Sequence, residues 1–226
     1  MNSAPLKKFD TIPNPAVIAA NNFRYKSLSD FAYNISVGCP HGCTFCYVPS
    51  TSAIKQEINL EKHEGLIPAQ WLQERLAGQH WGDAQWGNYS FVRAWDEDAF
   101  RKSLKRAQKA KDEGRLSPDG NAAIMFCTTT DPYQALAGPK AAILRELLKN
   151  LVRNALQIIL EESDLNVRIL TRSPAARRDF DLYKRFAERD RILFGMSLPT
   201  FDTTLCKIYE PNAPPPNKKF ETLQLA

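Results

Sequence analysis

NISVGCPHGCTFCYVPST, residues 34–51, gathers three cysteines, Cys39, Cys43 and Cys46, into eight residues. The intervals between them are three residues and two, and no fourth cysteine lies nearby. The stretch FAYNISVG that leads in alternates and ends in glycine, so it reads as a strand running into a cysteine loop. A structural zinc site takes four protein ligands, and ferredoxin clusters are held by four cysteines. Three thiolates suit a centre with one position left open. A [4Fe–4S] cubane on three cysteines leaves one iron free for a small ligand. A zinc site, with or without His41, and unligated cysteines are the alternatives.

Around this loop the chain reads as a globular protein of one domain or two small ones, with 226 residues, 43% hydrophobic and 24% charged. Its net charge of +5 and pI near 8.9 permit a polyanionic partner without requiring one. The opening MNSAPLKKFD has no apolar segment of a secretory signal. No run reaches the ~20 apolar residues of a membrane span. The expected location is therefore the reducing cytoplasm, with no membrane partner, where clustered cysteines indicate metal or cluster ligation.

Residues 1–29, rich in Pro, Asn and Lys, read as an N-terminal arm. IPAQWLQERLAG reads as a helix closed by glycine, and Tyr89–Trp95 as a strand in an insertion. A charged helix is expected from Asp96 to Gly114, with Phe100, Leu104 and Ala107 inward. Its Arg101, Lys102, Lys105, Arg106 and Lys109 read as a solvated face, with a polyanion-binding surface as the alternative. AAIMFC suits a buried parallel strand ending in the polar loop TTTDPYQ. GPKAAILRELLKNLVRNALQIILEE reads as a long helix with Pro139 in its first turn and Ile143, Leu147 and Leu151 on its inner face. The strand NVRILT follows, then a helix capped by Ser173 with Pro174 at its first position. RILFGMSL is a further strand, PTFDTTLCKIYEPNAPPPN a loop, and KKFETLQLA the start of a helix. Alternating strands and helices predict right-handed βαβ units and an α/β fold with a parallel sheet. The polar loops then fall at the carboxyl ends of the strands, where chemistry collects.

CPHGCTFC, placed directly after the first strand, resembles the Cys-x3-Cys-x2-Cys signature of the radical S-adenosylmethionine enzymes. YNISVGCPHGCTFCYVP, TTTDPYQ, ILTRS, GMSLPTFD and YEPNAPPP, in that order, are similar to the spore photoproduct lyase branch and its DNA repair photolyase-like relatives. The resemblance covers residues from about 24 to the end of the sequence. It implies a partial (β/α) barrel, a shortened relative of the TIM barrel, made of residues 30–226 and ending after about four strand–helix units. The fifth-strand motif and the sixth strand of the family do not occur in these residues, so the last strand would present an open edge.

The resemblance further implies a [4Fe–4S] cluster on Cys39, Cys43 and Cys46, with S-adenosylmethionine on its open iron. The reaction would be reductive cleavage to a 5′-deoxyadenosyl radical that abstracts hydrogen, a lyase-like activity with DNA as a candidate partner. A flavodoxin or ferredoxin would supply the electron. Cofactor contacts are implied for Tyr47, for Thr128, Thr129, Thr130 and Asp131, for Arg172 and Ser173, and for Ser197. Arg172 stands where the family has a basic residue for the cofactor carboxylate, a role its forked guanidinium suits. Cys127 is the candidate hydrogen donor, set against ordinary packing of a buried cysteine. Cys206 has no assigned role, and His63 and His80 read as surface or helix residues. The rival readings are a non-catalytic iron–sulfur or zinc protein, one fragment of a split enzyme, and a nucleic-acid-binding module built on the Arg101–Lys111 helix.

Overall fold

The computed structural model describes residues 6–21, 28–50, 58–74, 80–117 and 119–226. The segment expected as an N-terminal arm carries two strands, β1 (Lys8–Pro15) and β2 (Ile18–Ala20). The single strand expected from FAYNISVG is divided into β3 (Phe31–Tyr33) and β4 (Ser36–Val37), which belong to different sheets. The chain crosses between sheets at Asn34 and Ile35. The Tyr33 carbonyl accepts from the Cys127 N–H at 2.9 Å, whereas the Ile35 carbonyl accepts from Arg93 N–H at 2.9 Å. Both halves are buried, so the residue pattern is the same whichever sheet receives them.

Three short helices, α1 (Ile58–Glu61), α2 (Ala69–Glu74) and α3 (Trp81–Ala84), precede β5 (Tyr89–Ala94). The helix expected over IPAQWLQERLAG is present as α2, and its expected end lies outside the described residues. The smaller sheet has the order β1-β5-β4, with β1 parallel and β4 antiparallel to β5. Its core is aromatic: Trp81, Tyr89 and Phe91 are wholly buried, and the Tyr89 hydroxyl donates to the Gly82 carbonyl at 2.9 Å.

The rest of the chain alternates. Helix α4 (Glu97–Asp112) is capped by Asp96, whose carboxylate accepts from the Ala99 N–H at 2.9 Å, and leads to β6 (Ala123–Phe126). Helix α5 (Ala141–Glu162) leads to β7 (Asn166–Thr171). A 3-10 segment, Pro174–Asp179, then α6 (Phe180–Ala187), leads to β8 (Ile192–Met196). Helices α7 (Thr203–Tyr209) and α8 (Pro216–Gln224) follow. The larger sheet has the order β2-β3-β6-β7-β8, and β3, β6, β7 and β8 run parallel. The molecule is thus a mixed α/β protein. The carboxyl ends Tyr33, Phe126, Thr171 and Met196 share one side of the sheet, which collects the loops that follow β6, β7 and β8 and the cysteine loop beyond β4.

Helices α4 and α5 pack on this sheet. Phe100, Leu104 and Ala107 of α4 are buried as expected, and Tyr33 stands edge-on to Phe100 and Phe126 at 5.2 Å each. The inner face of α5 holds Leu151, as expected, with Leu147 packed half-buried against the core, but not Ile143. Ile143 is 74% exposed, and Leu144, Leu148, Leu151, Val152 and Ala155 fill the core. Pro139 lies just before the helix, with Lys140 at the cap position. Part of the basic helix face is engaged with carboxylates: Arg101 pairs with Glu97 and Glu162, and Lys109 with Glu113 at 3.7 Å, while Lys111 at the helix end pairs with Asp164 at 2.7 Å. The stretch expected as a loop after β8 contains α7, capped by the Asp202 carboxylate, and Cys206 sits on that helix. Among the described residues no helix is long and apolar enough to cross a membrane.

Candidate functional site

The cysteine loop needs its glycines. Gly38 has φ +85°, and a Cβ there would lie 2.3 Å from the Tyr89 ring. Gly42, with φ +59°, passes close to Gly87, whose own Cβ position would be 2.9 Å from the Gly42 Cα. Glycine alone tolerates both the left-handed backbone and the contact. The loop is fastened from two sides. The Gly38 carbonyl accepts from the Thr130 hydroxyl at 2.7 Å, and the Tyr47 hydroxyl donates to the Thr128 carbonyl at 2.9 Å. On the other side, Thr44 N–H donates to the Tyr209 carbonyl at 2.9 Å and Asn212 N–H to the His41 carbonyl at 3.3 Å.

This fastening closes a cavity of about 190 Å³ at the carboxyl ends of the parallel strands. Cys39, Cys43 and Cys46 all line it. So do Tyr47, Cys127, Thr128, Thr129, Thr130, Asp131 and Arg172. Phe45, Val48, Trp86, Met125 and Leu170 make its apolar wall. Among the described residues no three His, Cys, Asp or Glu side chains are gathered tightly enough to hold a single metal ion. Thiolates on three different irons of a cubane stand farther apart than ligands on one ion, so a shared cavity wall is the relevant feature. Of the expected contacts, Ser173 and Ser197 lie off this wall. The Ser173 hydroxyl accepts from the Ala175 N–H at 3.3 Å as a cap, and Ser197 N–H continues the ladder to the Thr171 carbonyl at 2.8 Å.

The thiols are protonated in the metal-free protein. Burial, together with the Asp131 charge, pushes Cys39 up to about 12. Burial lifts Cys43 to about 11 against the pull of Arg172, and raises Cys46 as well. Metal or cluster loading must therefore displace protons from these sulfurs. His41 is buried, which lowers its pKa and keeps the imidazole neutral. Its Nδ1 lies 3.5 Å from Asp131 Oδ2, neither ring nitrogen has a hydrogen-bond partner among the described residues, and it is not on the cavity wall. His80 caps α3 by accepting from the Gly82 N–H at 3.1 Å.

Much of the polar wall is committed to holding the site together. Asp131 accepts from the Tyr133 N–H at 2.8 Å, the Thr171 hydroxyl at 2.7 Å and the Arg172 N–H at 2.8 Å, which ties the loop after β6 to the end of β7. Asn34 receives the Thr128 and Thr129 N–H groups at 2.8 and 3.3 Å. Arg172 and Thr129 are different. The Thr129 hydroxyl and both η nitrogens of Arg172 have no hydrogen-bond partner among the described residues. Arg172 uses its Nε on Glu210 and lies over the Phe45 ring at 5.7 Å. Cys127, directly after β6, has φ +64°, an uncommon conformation for a residue with a side chain, and is buried on the cavity wall. Burial holds its thiol far above the ordinary range.

Sequence reasoning missed Glu210, Lys219, Asn34 and Trp86. Glu210 stands in the quoted YEPNAPPP stretch, and its Glu-Pro pair before a proline run was the available signal. Asn34 and Trp86 carry none that separates them from ordinary loop residues.

No protein-family model matches the chain, and no solved structure does. The chain is similar to an uncharacterized protein, ORF301, of Acidianus two-tailed virus, with 25% identity over 218 residues. That alignment takes in 95% of this chain and 57% of the viral protein, so the chain spans little more than half the length of this relative.

Proposed function

We propose that this chain is a radical S-adenosylmethionine protein of the photoproduct lyase-like branch, with its parallel strands forming part of a (β/α) barrel. The observation that carries the reading is the shared cavity. Three cysteines spaced as Cys-x3-Cys-x2-Cys line it at the carboxyl ends of parallel strands, together with an arginine whose η nitrogens have no hydrogen-bond partner among the described residues. The donor set fits an iron–sulfur cluster with one open iron, since the loop offers three soft thiolates. The fourth cysteine on the cavity wall, Cys127, comes from directly after β6 and in this reading is the hydrogen donor and not a ligand. In this reading Cys39, Cys43 and Cys46 hold the cluster, and Arg172 receives the carboxylate of S-adenosylmethionine.

The bound group would supply one-electron cleavage of the sulfonium, giving a 5′-deoxyadenosyl radical for hydrogen abstraction, with a flavodoxin or ferredoxin as electron source. The chain's own residues bind, orient and exclude water. Thr128–Thr130 offer the Thr129 hydroxyl beside the cofactor. The wall of Phe45, Val48, Trp86, Met125 and Leu170 keeps the cavity apolar. The protonated Cys127 thiol holds a transferable hydrogen on the same wall. Nucleic acid as the substrate class rests on the family resemblance.

The test is anaerobic reconstitution with iron and sulfide, followed by reduction in the presence of S-adenosylmethionine. The expected result is about four irons per chain, release of 5′-deoxyadenosine by chromatography, and loss of both in Cys39→Ala, Cys43→Ala or Cys46→Ala. A properly loaded cluster that releases no 5′-deoxyadenosine would overturn the reading.

A further inference from the structure

Behind the cavity wall runs a buried ionic chain. One Glu210 oxygen accepts from Arg172 Nε and the other from Lys219 Nζ. The side chains of Glu210 and Lys219 are wholly buried, while Arg172 keeps 23% exposure. Burying an ion pair rarely improves on apolar packing, because desolvation offsets the attraction. The geometry suggests what this one does. A guanidinium has five N–H donors in one plane, and Glu210 takes the single Nε donor. The Arg172 main-chain N–H is fixed by Asp131 at 2.8 Å, and one face of the guanidinium lies over Phe45 at 5.7 Å. Backbone, face and Nε side are thus all held, the η nitrogens have no hydrogen-bond partner among the described residues, and Arg172 is one of the residues that line the cavity.

Lys219 Nζ and, at 3.7 Å, the Cys206 thiol donate to the second Glu210 oxygen, so both oxygens of the carboxylate are engaged. The two residues are nine apart, across a run of three prolines, Pro214–Pro216, that restricts the backbone between them. Lys219 lies on α8 and Glu210 directly follows α7. The Glu210 segment is the one that fastens the cysteine loop, through Tyr209 and Asn212. The orientation of Arg172 and the support of the cysteine loop therefore share one buried anchor.

We infer that Glu210 and Lys219 are positioning residues, holding Arg172 so that its η edge can take the carboxylate of an amino-acid-bearing ligand in the cavity. This rests on the function proposed above, with S-adenosylmethionine as that ligand. The experiment measures binding to the cluster-loaded full chain by anaerobic titration calorimetry. Two probes are used: S-adenosylmethionine and its decarboxylated analogue, which differ only in the carboxylate. The wild-type chain is expected to prefer the carboxylated probe by about 10-fold or more, as charge-assisted hydrogen bonds provide. Arg172→Met, Glu210→Gln and Lys219→Met should each reduce that preference to within ~3-fold, and Lys219→Arg, which keeps the positive charge, should retain more of it than Lys219→Met. Iron content and the thermal melt of each variant report cluster loading and folding separately. If Glu210→Gln fails to load, the Lys219→Met and Lys219→Arg pair decides alone.

A wild-type preference that Arg172→Met abolishes but Lys219→Met and Glu210→Gln keep would overturn the positioning role and leave the proposed function standing. No preference in the wild-type chain would overturn the carboxylate role of Arg172 itself, and the inference with it.

Discussion

The Tyr47 hydroxyl donates to the Thr128 carbonyl at 2.9 Å and so closes the cysteine loop onto the loop that leaves β6. The two residues are 81 apart in sequence, and both line the cavity. Tyr47→Phe removes the donor and keeps the ring. Tyr47 is half exposed, so water can satisfy the freed carbonyl, and the loss should lie near the low end of the ~0.5–1.5 kcal/mol of a typical hydrogen bond. The expected thermal shift is about 1–3 °C downward, with cysteine-loop cleavage by a protease becoming faster. A melting temperature lowered by ~10 °C would mean that Tyr47 carries more of the fold than this bond.

Gly38 and Gly65 separate two causes of glycine dependence. Both have positive φ, +85° and +71°, but only Gly38 has a neighbour in the way, the Tyr89 ring at 2.3 Å, whereas nothing lies within 4 Å of Gly65. Gly65→Ala should cost about 1–2 kcal/mol for the left-handed backbone alone. Gly38→Ala adds overpacking against a wholly buried aromatic, for a total of roughly 3 kcal/mol or more. Denaturant melts of the two variants check this. Equal losses would show that Tyr89 moves aside freely.

How much of this was legible varies by residue, and the reasons are physical. The cysteine loop and the parallel strands β6, β7 and β8 were readable because each is a local pattern. The division of FAYNISVG at Asn34 was not, since Tyr33 and Ile35 are both fully buried whichever sheet they serve. Helix α7 was hidden because Leu205 and Ile208 are exposed and Cys206 is its one buried residue, so no amphipathic stripe marks it. Glu210 acquires its meaning from Arg172 and Lys219, 38 and nine residues away, and no local pattern encodes that meeting.

Arg153 on α5 clasps Asp181 on α6, with contacts of 3.0 and 2.6 Å, and reaches Asp179 at 3.0 Å. The hydrogen bonds from Arg153 hold the Asp181 carboxyl below its ordinary value of 3.8. A carboxyl with a lower pKa in the folded state contributes stability above the unfolded pKa and loses it as pH falls through the folded one. Asp181→Asn should therefore lower stability at pH 7 and converge with the wild type in acid, once the pH has fallen through the folded-state pKa of Asp181. Because Asp181 is 58% exposed, the pH 7 loss should stay within the ~0.2–1 kcal/mol of surface pairs and shrink in high salt. Paired melts at pH 7 and in acid check it. A difference that persists unchanged in acid would assign the effect to packing.

The face that α5 turns inward gives the sharpest contrast. Leu148 is 2% exposed within the main core, while Ile143, five residues earlier on the same helix, is 74% exposed. Five residues advance a helix by about 500°, which places the two side chains well apart around the axis. Leu148→Ala removes buried methyl groups and leaves a cavity against the sheet, which costs about 2–5 kcal/mol. Ile143→Ala removes a similar side chain from water and should stay within about 0.5 kcal/mol of the wild type. Chemical denaturation of both variants, with unchanged m-values, is the measurement. A large loss at Ile143 would mean that this exposed position is covered by another surface in solution, while a small loss at Leu148 would contradict the packing of α5 on the parallel sheet.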